Sequence, residues 1–204
     1  MTQGFLDRVY RTEGAEETRR LYDDWATQYD ADLRAAGYAT PRRVSEALAG
    51  AIEDPARPIL DFGCGTGLSG EALAEAGFTT IDGVDVSEGM LDVARAKGVY
   101  RALDAVGDDD AMTDRAGRYA AAAAIGVIGS GAAPLAAFDR VWALLPAGGL
   151  FAFSFNDNTL QDPAFEAHVT ALVERGAARV RHREHGPHVP AEGVGALVYV
   201  LEKA

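Results

Sequence analysis

The sequence predicts an α/β fold: a mostly parallel sheet built from alternating strands and helices, entered through N-terminal helices and closed by an antiparallel hairpin. Three observations carry this. From residue 58 onward, short apolar runs alternate with amphipathic helical stretches, the pattern of consecutive βα units. The first run, ILDF, passes straight into the glycine-rich stretch Gly63-Cys-Gly-Thr-Gly67 and then into a helical stretch. The last two runs, 179–183 and 196–201, have no helix between them, so their strands run antiparallel.

Taken in order, Leu21, Trp25, Tyr29 and Leu33 recur every four residues and put one aromatic stripe on an N-terminal helix that stops near Gly37. Thr40-Pro41 supplies an N-cap and a first-turn proline for a second helix, whose inner face holds Val44, Ala47, Leu48, Ala51 and Ile52. Residues 58–62 form the first strand, and 68–76 a helix closed by Gly77. Residues 79–84 give a second strand ending at Asp85, after which Ser87 caps a helix with Met90, Leu91 and Ala94 inward and Gly98 as its stop. A weaker strand covers 100–106 and runs into Gly107-Asp-Asp-Asp110. Alanine-rich 119–125 favours helix by propensity, but its position between loops predicts a fully buried strand. Leu135, Phe138, Trp142 and Leu145 mark a helix stopped by Pro146, and 148–154 the next strand. Asp162-Pro163 opens a helix with Phe165, Val169, Leu172 and Val173 inward and Gly176 as its stop; the two strands of the hairpin, joined by a Gly/Pro loop, lie at the sheet edge.

Composition narrows the function. The net charge of −12, from 31 acids against 19 bases, repels a phosphate backbone, so no nucleic-acid partner is expected. The longest nearly apolar run, 119–128, is about half of the roughly 20 residues needed to cross a bilayer, so no membrane partner is expected either. The opening MTQGFLDRVYRTEG lacks the basic start and apolar core of a signal peptide. The lone Cys64 forms no intramolecular disulfide, which fits a cytoplasmic location.

The glycine stretch admits two readings. Gly65, Gly67 and Gly70 spell G-x-G-x-x-G with Asp85 following, the dinucleotide fingerprint of an NAD-dependent oxidoreductase. One step earlier the letters spell D-x-G-x-G-x-G from Asp61. Asp61 decides locally: at the carboxyl end of its strand a carboxylate receives an ammonium group, whereas a pyrophosphate would meet a like charge. A dinucleotide fold also opens with its fingerprint strand, and here about 57 residues of helix come first.

LDFGCGTG, VDVSEGML, VGD and LLPAGGLF, in that order, resemble the first, second, third and pre-fifth-strand motifs of the class I S-adenosylmethionine-dependent methyltransferases, over residues 20–204. The N-terminal YDDWATQYDADLRAAGY is similar to small-molecule methyltransferases of the Williams–Beuren syndrome region type. The resemblance implies a Rossmann-like seven-stranded sheet with the last strand antiparallel and helices on both faces. It implies one methyltransferase domain over 1–204, with 1–56 a helical cap or lid and 57–204 the cofactor-binding core. S-adenosylmethionine is then the cofactor, S-adenosylhomocysteine its product, and a small molecule the methyl acceptor of a monomer or homodimer. A protein that binds the cofactor without turnover is the alternative.

By the same resemblance Gly63, Cys64 and Gly65 carry the methionine part, where glycines let the backbone approach a ligand closely. Asp61 lies near the amino group, Asp85 binds the ribose hydroxyls, Val86 and Met90 cover the adenine, and Asp108 receives the adenine amino group, with Asp109 and Asp110 alternatives in register. Tyr29 contacts the cofactor from the lid, while Tyr22 and Trp25 pack. Gly126 lies in IGVIGSG, where family members place acceptor-facing residues, and Ser130 and Asn156 are candidates for orienting the acceptor or ordinary loop polarity. No residue announces itself as a catalytic base. Cys64 is not read as a nucleophile. No metal is expected at His182, His185 and His188, because a spacing of three on a strand sends neighbours to opposite faces. Arg179, Arg181 and Arg183 share a strand face, as an edge-protecting row or a site for an anion.

Overall fold

The computed structural model describes residues 28–107 and 109–204. Leu21, Tyr22, Trp25 and Asp108 lie outside the described residues. The chain continues from α1 (28–35) to α2 (Thr40–Ala49), β1 (Ile59–Phe62), α3 (Leu68–Glu75), β2 (Ile81–Asp85), α4 (Glu88–Lys97), β3 (Ala102–Ala105), β4 (Ala121–Ala124), α5 (Leu135–Leu144), β5 (Leu150–Asn156), α6 (Pro163–Glu174), β6 (Ala178–Val189) and β7 (Val194–Lys203). The strands form one seven-stranded sheet in the order β3-β2-β1-β4-β5-β7-β6. Pairs up to β4–β5 are parallel, and β7 is antiparallel to both β5 and β6.

The two faces carry separate cores. One gathers Leu60, Phe138, Val141, Phe151, Phe153 and Phe165, placing α5 and α6 on that side. The other gathers Val44, Leu48, Ile59, Leu73, Ile81 and Val200 beneath α2 and α3. The four alanines of β4 divide between the cores, two to each. Such small side chains are tolerated in a central strand because burial on both faces overrides helix propensity. No helix among the described residues is long and apolar enough to cross a membrane.

Four local expectations change. Ala39, not Thr40, is the N-cap of α2, without a side-chain cap; the Thr40 hydroxyl is instead 2.7 Å from Nδ1 of buried His188, a partner that takes precedence over capping. Gly186-Pro187 do not form the hairpin loop: β6 runs on through them, pairing with Ala196 and Gly195, and the chain turns at Pro190–Glu192 and Gly193. An edge strand accepts a proline because it has an unpaired side. Register shifts between Val180 and His182, so Arg181 bonds Glu202 whereas Arg183 bonds Tyr199. These partners stand three apart on β7, hence on opposite faces, and the bulge splits the arginine row. Val173 is 37% exposed, unlike Phe165, Val169 and Leu172.

Candidate functional site

The strand order turns back between β1 and β4, and ligands of open α/β sheets bind outside the strand carboxyl ends at such a switch point. The chain segments following β1, β2 and β4 meet there. In the first, Gly63, Gly65 and Gly67 adopt φ of +69°, +53° and +90°, a region costly for residues with a Cβ. A Cβ on Gly63 would stand 2.6 Å from both γ-carbons of Val127, so this loop lies against the chain leaving β4. A Cβ on Gly65 would meet nothing within 4 Å, leaving room over the loop.

Asp85, at the end of β2, ties the loops together. Its Oδ2 accepts from the Gly65 N–H at 2.8 Å and its Oδ1 from the Ser87 N–H at 3.0 Å. Ser87 caps α4, its hydroxyl oxygen accepting from the Met90 N–H. Val86 is 37% exposed at this corner, while Met90 is 3% exposed and part of the core.

Beneath the loop, Asp61 is 0% exposed. One carboxylate oxygen accepts from the Ser69 hydroxyl at 2.6 Å and the Tyr100 hydroxyl at 2.7 Å. The other, Oδ1, is buried without a donor among the described residues. Burial, opposed by those two hydrogen bonds, pushes this carboxyl up to about 6. Cys64 is buried, and desolvation beside Asp61 and Asp85 pushes its thiol up, which removes the thiolate a nucleophile needs.

Tyr29 lies in α1 next to Asp30, which accepts from the Thr66 hydroxyl of the glycine loop at 2.5 Å and pairs with Lys97 at 2.5 Å. Lys97 also reaches Glu71, as does Arg34. The described part of α1 is thereby pinned to the loop and to α3 and α4. At the end of β4, Gly126 has φ +71°, and its N–H donates to the Ser154 hydroxyl oxygen at 3.1 Å. A Cβ on Gly126 would strike the Tyr38 hydroxyl. Tyr38 meets the His188 ring edge-on, with centroids 5.2 Å apart. Burial lowers His188 to about 4.

The remaining candidates take local partners. The Ser130 N–H donates to the Thr159 hydroxyl oxygen, and Asn156 Oδ1 accepts from the Thr159 N–H. Asp110 closes a turn by accepting from the Met112 N–H, while Asp109 is exposed. His185 pairs with Asp157 and His188 with Thr40. Sequence reasoning missed Asp30, Tyr38, Thr66, Ser69 and Tyr100, because each acts through a partner at least eight residues away. The one sequence signal for Tyr100 is the set Gly67, Gly70 and Gly83, whose missing side chains make space for its ring.

The chain matches the family described as "Methyltransferase domain" over residues 29–198. The human Methyltransferase-like protein 27 is 34% identical over 163 residues, 76% of this chain and 66% of that protein. The Ubiquinone biosynthesis O-methyltransferase of Bordetella avium is 29% identical over 146 residues, 66% of this chain and 58% of that protein. The chain thus spans just under two thirds of the first of these relatives and less of the second. Among solved structures, the magnesium protoporphyrin IX methyltransferase of Synechocystis with bound S-adenosylhomocysteine aligns with a TM-score of 0.62 at 15% identity, covering 98% of this chain and 94% of that one.

Proposed function

The chain belongs to the class I S-adenosylmethionine-dependent methyltransferases, and from that premise we propose that it transfers the methyl group of S-adenosylmethionine to a small-molecule acceptor. The observation that carries the reading is the glycine loop at the switch point, with three alternate glycines at positive φ and Asp85 fixed across it. The residues fit the cofactor: Asp61 Oδ1 lacks a donor among the described residues, and the amino-acid end of the cofactor carries an ammonium. The open space at Gly65 takes its methionine part, Asp85 its ribose, and exposed Val86 its adenine. Met90, buried in the core, does not share that exposure; Asp108 remains the proposed partner of the adenine amino group, and Tyr29 in α1 and Gly126 after β4 are the proposed borders of the site.

When bound, the cofactor supplies a methyl group on a sulfonium, already activated toward in-line attack. The chain then holds donor and acceptor about 3–3.5 Å apart and excludes water. Tyr38, at Gly126 on the acceptor side, is the hydroxyl we assign to that wall, with Ser130 after β4 and Asn156 at the end of β5, both bonded to Thr159, as further candidates. The acidic net charge of −12 supports a small acceptor over a nucleic acid. Isothermal titration with S-adenosylmethionine, S-adenosylhomocysteine and NAD should show micromolar binding of the two adenosyl ligands alone, lost in Asp85→Ala. Binding of NAD alone would overturn the cofactor. Labelled methyl transfer into a cell extract should give a small labelled product, and label confined to RNA or protein would overturn the acceptor class.

A further inference from the structure

Asp61 is the second-to-last residue of β1, two positions before Gly63, and faces the side occupied by the start of α3 and by Tyr100. Its carboxylate is asymmetric: both donors, Ser69 and Tyr100, serve Oδ2, and Oδ1 is buried with none among the described residues. Nor does any described cation pair with it. Asp85, from β2, is a like charge, and Lys97, from α4, is engaged by Asp30 and Glu71. A buried acceptor without donor or counter-charge is costly, so its retention points to a partner that the described residues do not supply.

Tyr100 is placed for that carboxylate at some expense elsewhere. A Cβ on Gly70 would strike its ring and hydroxyl, one on Gly83 would stand 2.9 Å from the ring, and one on Gly67 3.1 Å. Three elements therefore carry glycine where this ring passes between them. Burial beside Asp61 pushes the phenol up, so it remains a donor throughout the ordinary pH range.

We infer that Tyr100 is a positioning residue for the amino-acid end of the cofactor: its hydroxyl, with that of Ser69, fixes one oxygen of the Asp61 carboxylate and leaves the other for the ligand ammonium. The inference rests on the S-adenosylmethionine reading above. The ammonium supplies both the missing donor and the missing counter-charge, and because Asp61 titrates at about 6, affinity should rise with pH through that value and level above it.

The test is titration of the full chain with S-adenosylhomocysteine and with 5′-methylthioadenosine, which lacks the amino-acid part. Tyr100→Phe should weaken the first about tenfold, the scale of a lost bond to a charged group, and leave the second unchanged. Its pH midpoint for S-adenosylhomocysteine should move upward, because the carboxylate has lost a donor. Asp61→Asn should show a flat profile, and Tyr100→Phe/Asp61→Asn should bind no worse than Asp61→Asn alone, since Tyr100 acts only through Asp61. Equal weakening of both ligands, additive losses or an unmoved midpoint would overturn the assignment. Binding of neither adenosyl ligand by the unaltered chain would overturn the cofactor reading itself, before any variant is compared.

Discussion

The Asp61 carboxylate costs the unliganded fold stability. Its folded pKa of about 6 lies above the ordinary 3.8, so the folded state holds a proton that the unfolded chain has released. The Asp61 contribution to stability therefore falls as pH rises from 3.8 to about 6, and the loss persists above it. Asp61→Asn should raise the melting temperature at pH 8 by an amount worth about 1–3 kcal/mol, with the gain shrinking toward pH 4. Thermal denaturation across that range checks it, and an equal gain at both ends would contradict the sign. A charge retained at a cost in stability accords with the proposed ligand role of Asp61. Gly126→Ala is the matching steric case: it adds a Cβ at φ +71° and drives it into the Tyr38 hydroxyl. A loss of about 1–3 kcal/mol in chemical denaturation is expected, and Gly126→Ala/Tyr38→Phe should recover part of it.

Between elements, two joints hold the N-terminal segment over the sheet. The first is Asp30, which ties α1 to Thr66 in the glycine loop and to Lys97 in α4. Asp30→Ala should speed hydrogen exchange in 28–35 and weaken S-adenosylhomocysteine binding, with α5 and α6 unaffected; unchanged exchange in α1 would show that the apolar contacts of Leu33 and Ala36 suffice. The second joint is His188, whose ring meets Tyr38 and Thr40 and whose carbonyl accepts from the Ala39 N–H. Its folded pKa of about 4 lies below the ordinary 6.5, so the unfolded chain takes up a proton first as pH falls. The His188 contribution to stability should decline by about 3 kcal/mol from pH 6.5 to about 4, opposite in sign to that of Asp61, and His188→Gln should remove it, leaving stability in urea titrations to rise as pH falls through this range.

At the scale of the molecule, β7 enters between β5 and β6, leaving β6 as the sheet edge and the β1–β4 junction as the switch point. The proposed site draws on three loops and α1, so ligand binding there should couple distant segments of chain. S-adenosylhomocysteine at about 100 times its dissociation constant should stabilise the fold by about 2.7 kcal/mol, raising the melting temperature several degrees, and Asp85→Ala should abolish the shift. An all-parallel dinucleotide fold would have no antiparallel β7, so the topology agrees with the family match and not with the G-x-G-x-x-G reading.

Local chemistry carried most of the fold. The alternation of apolar runs, the caps at Ser87 and Asp162, and glycine stops at Gly77, Gly98 and Gly176 are near-neighbour effects, and they appear in the structure as read. The glycine loop and Asp85 were legible for the same reason, since a positive φ and a strand-end acid each leave a mark on their own residues. The bulge that separates Arg181 from Arg183, the path of β6 through Gly186-Pro187 and the surrender of Thr40 to His188 depend on partners up to 148 residues away. So do the positions of Tyr38 and Tyr100, whose hydroxyls find Gly126 and Asp61 only when the sheet closes. The chain's own pattern determined which elements form and in what order. Tertiary packing decided which side chains share a buried space, because burial and hydrogen bonding act between surfaces that sequence separation does not encode.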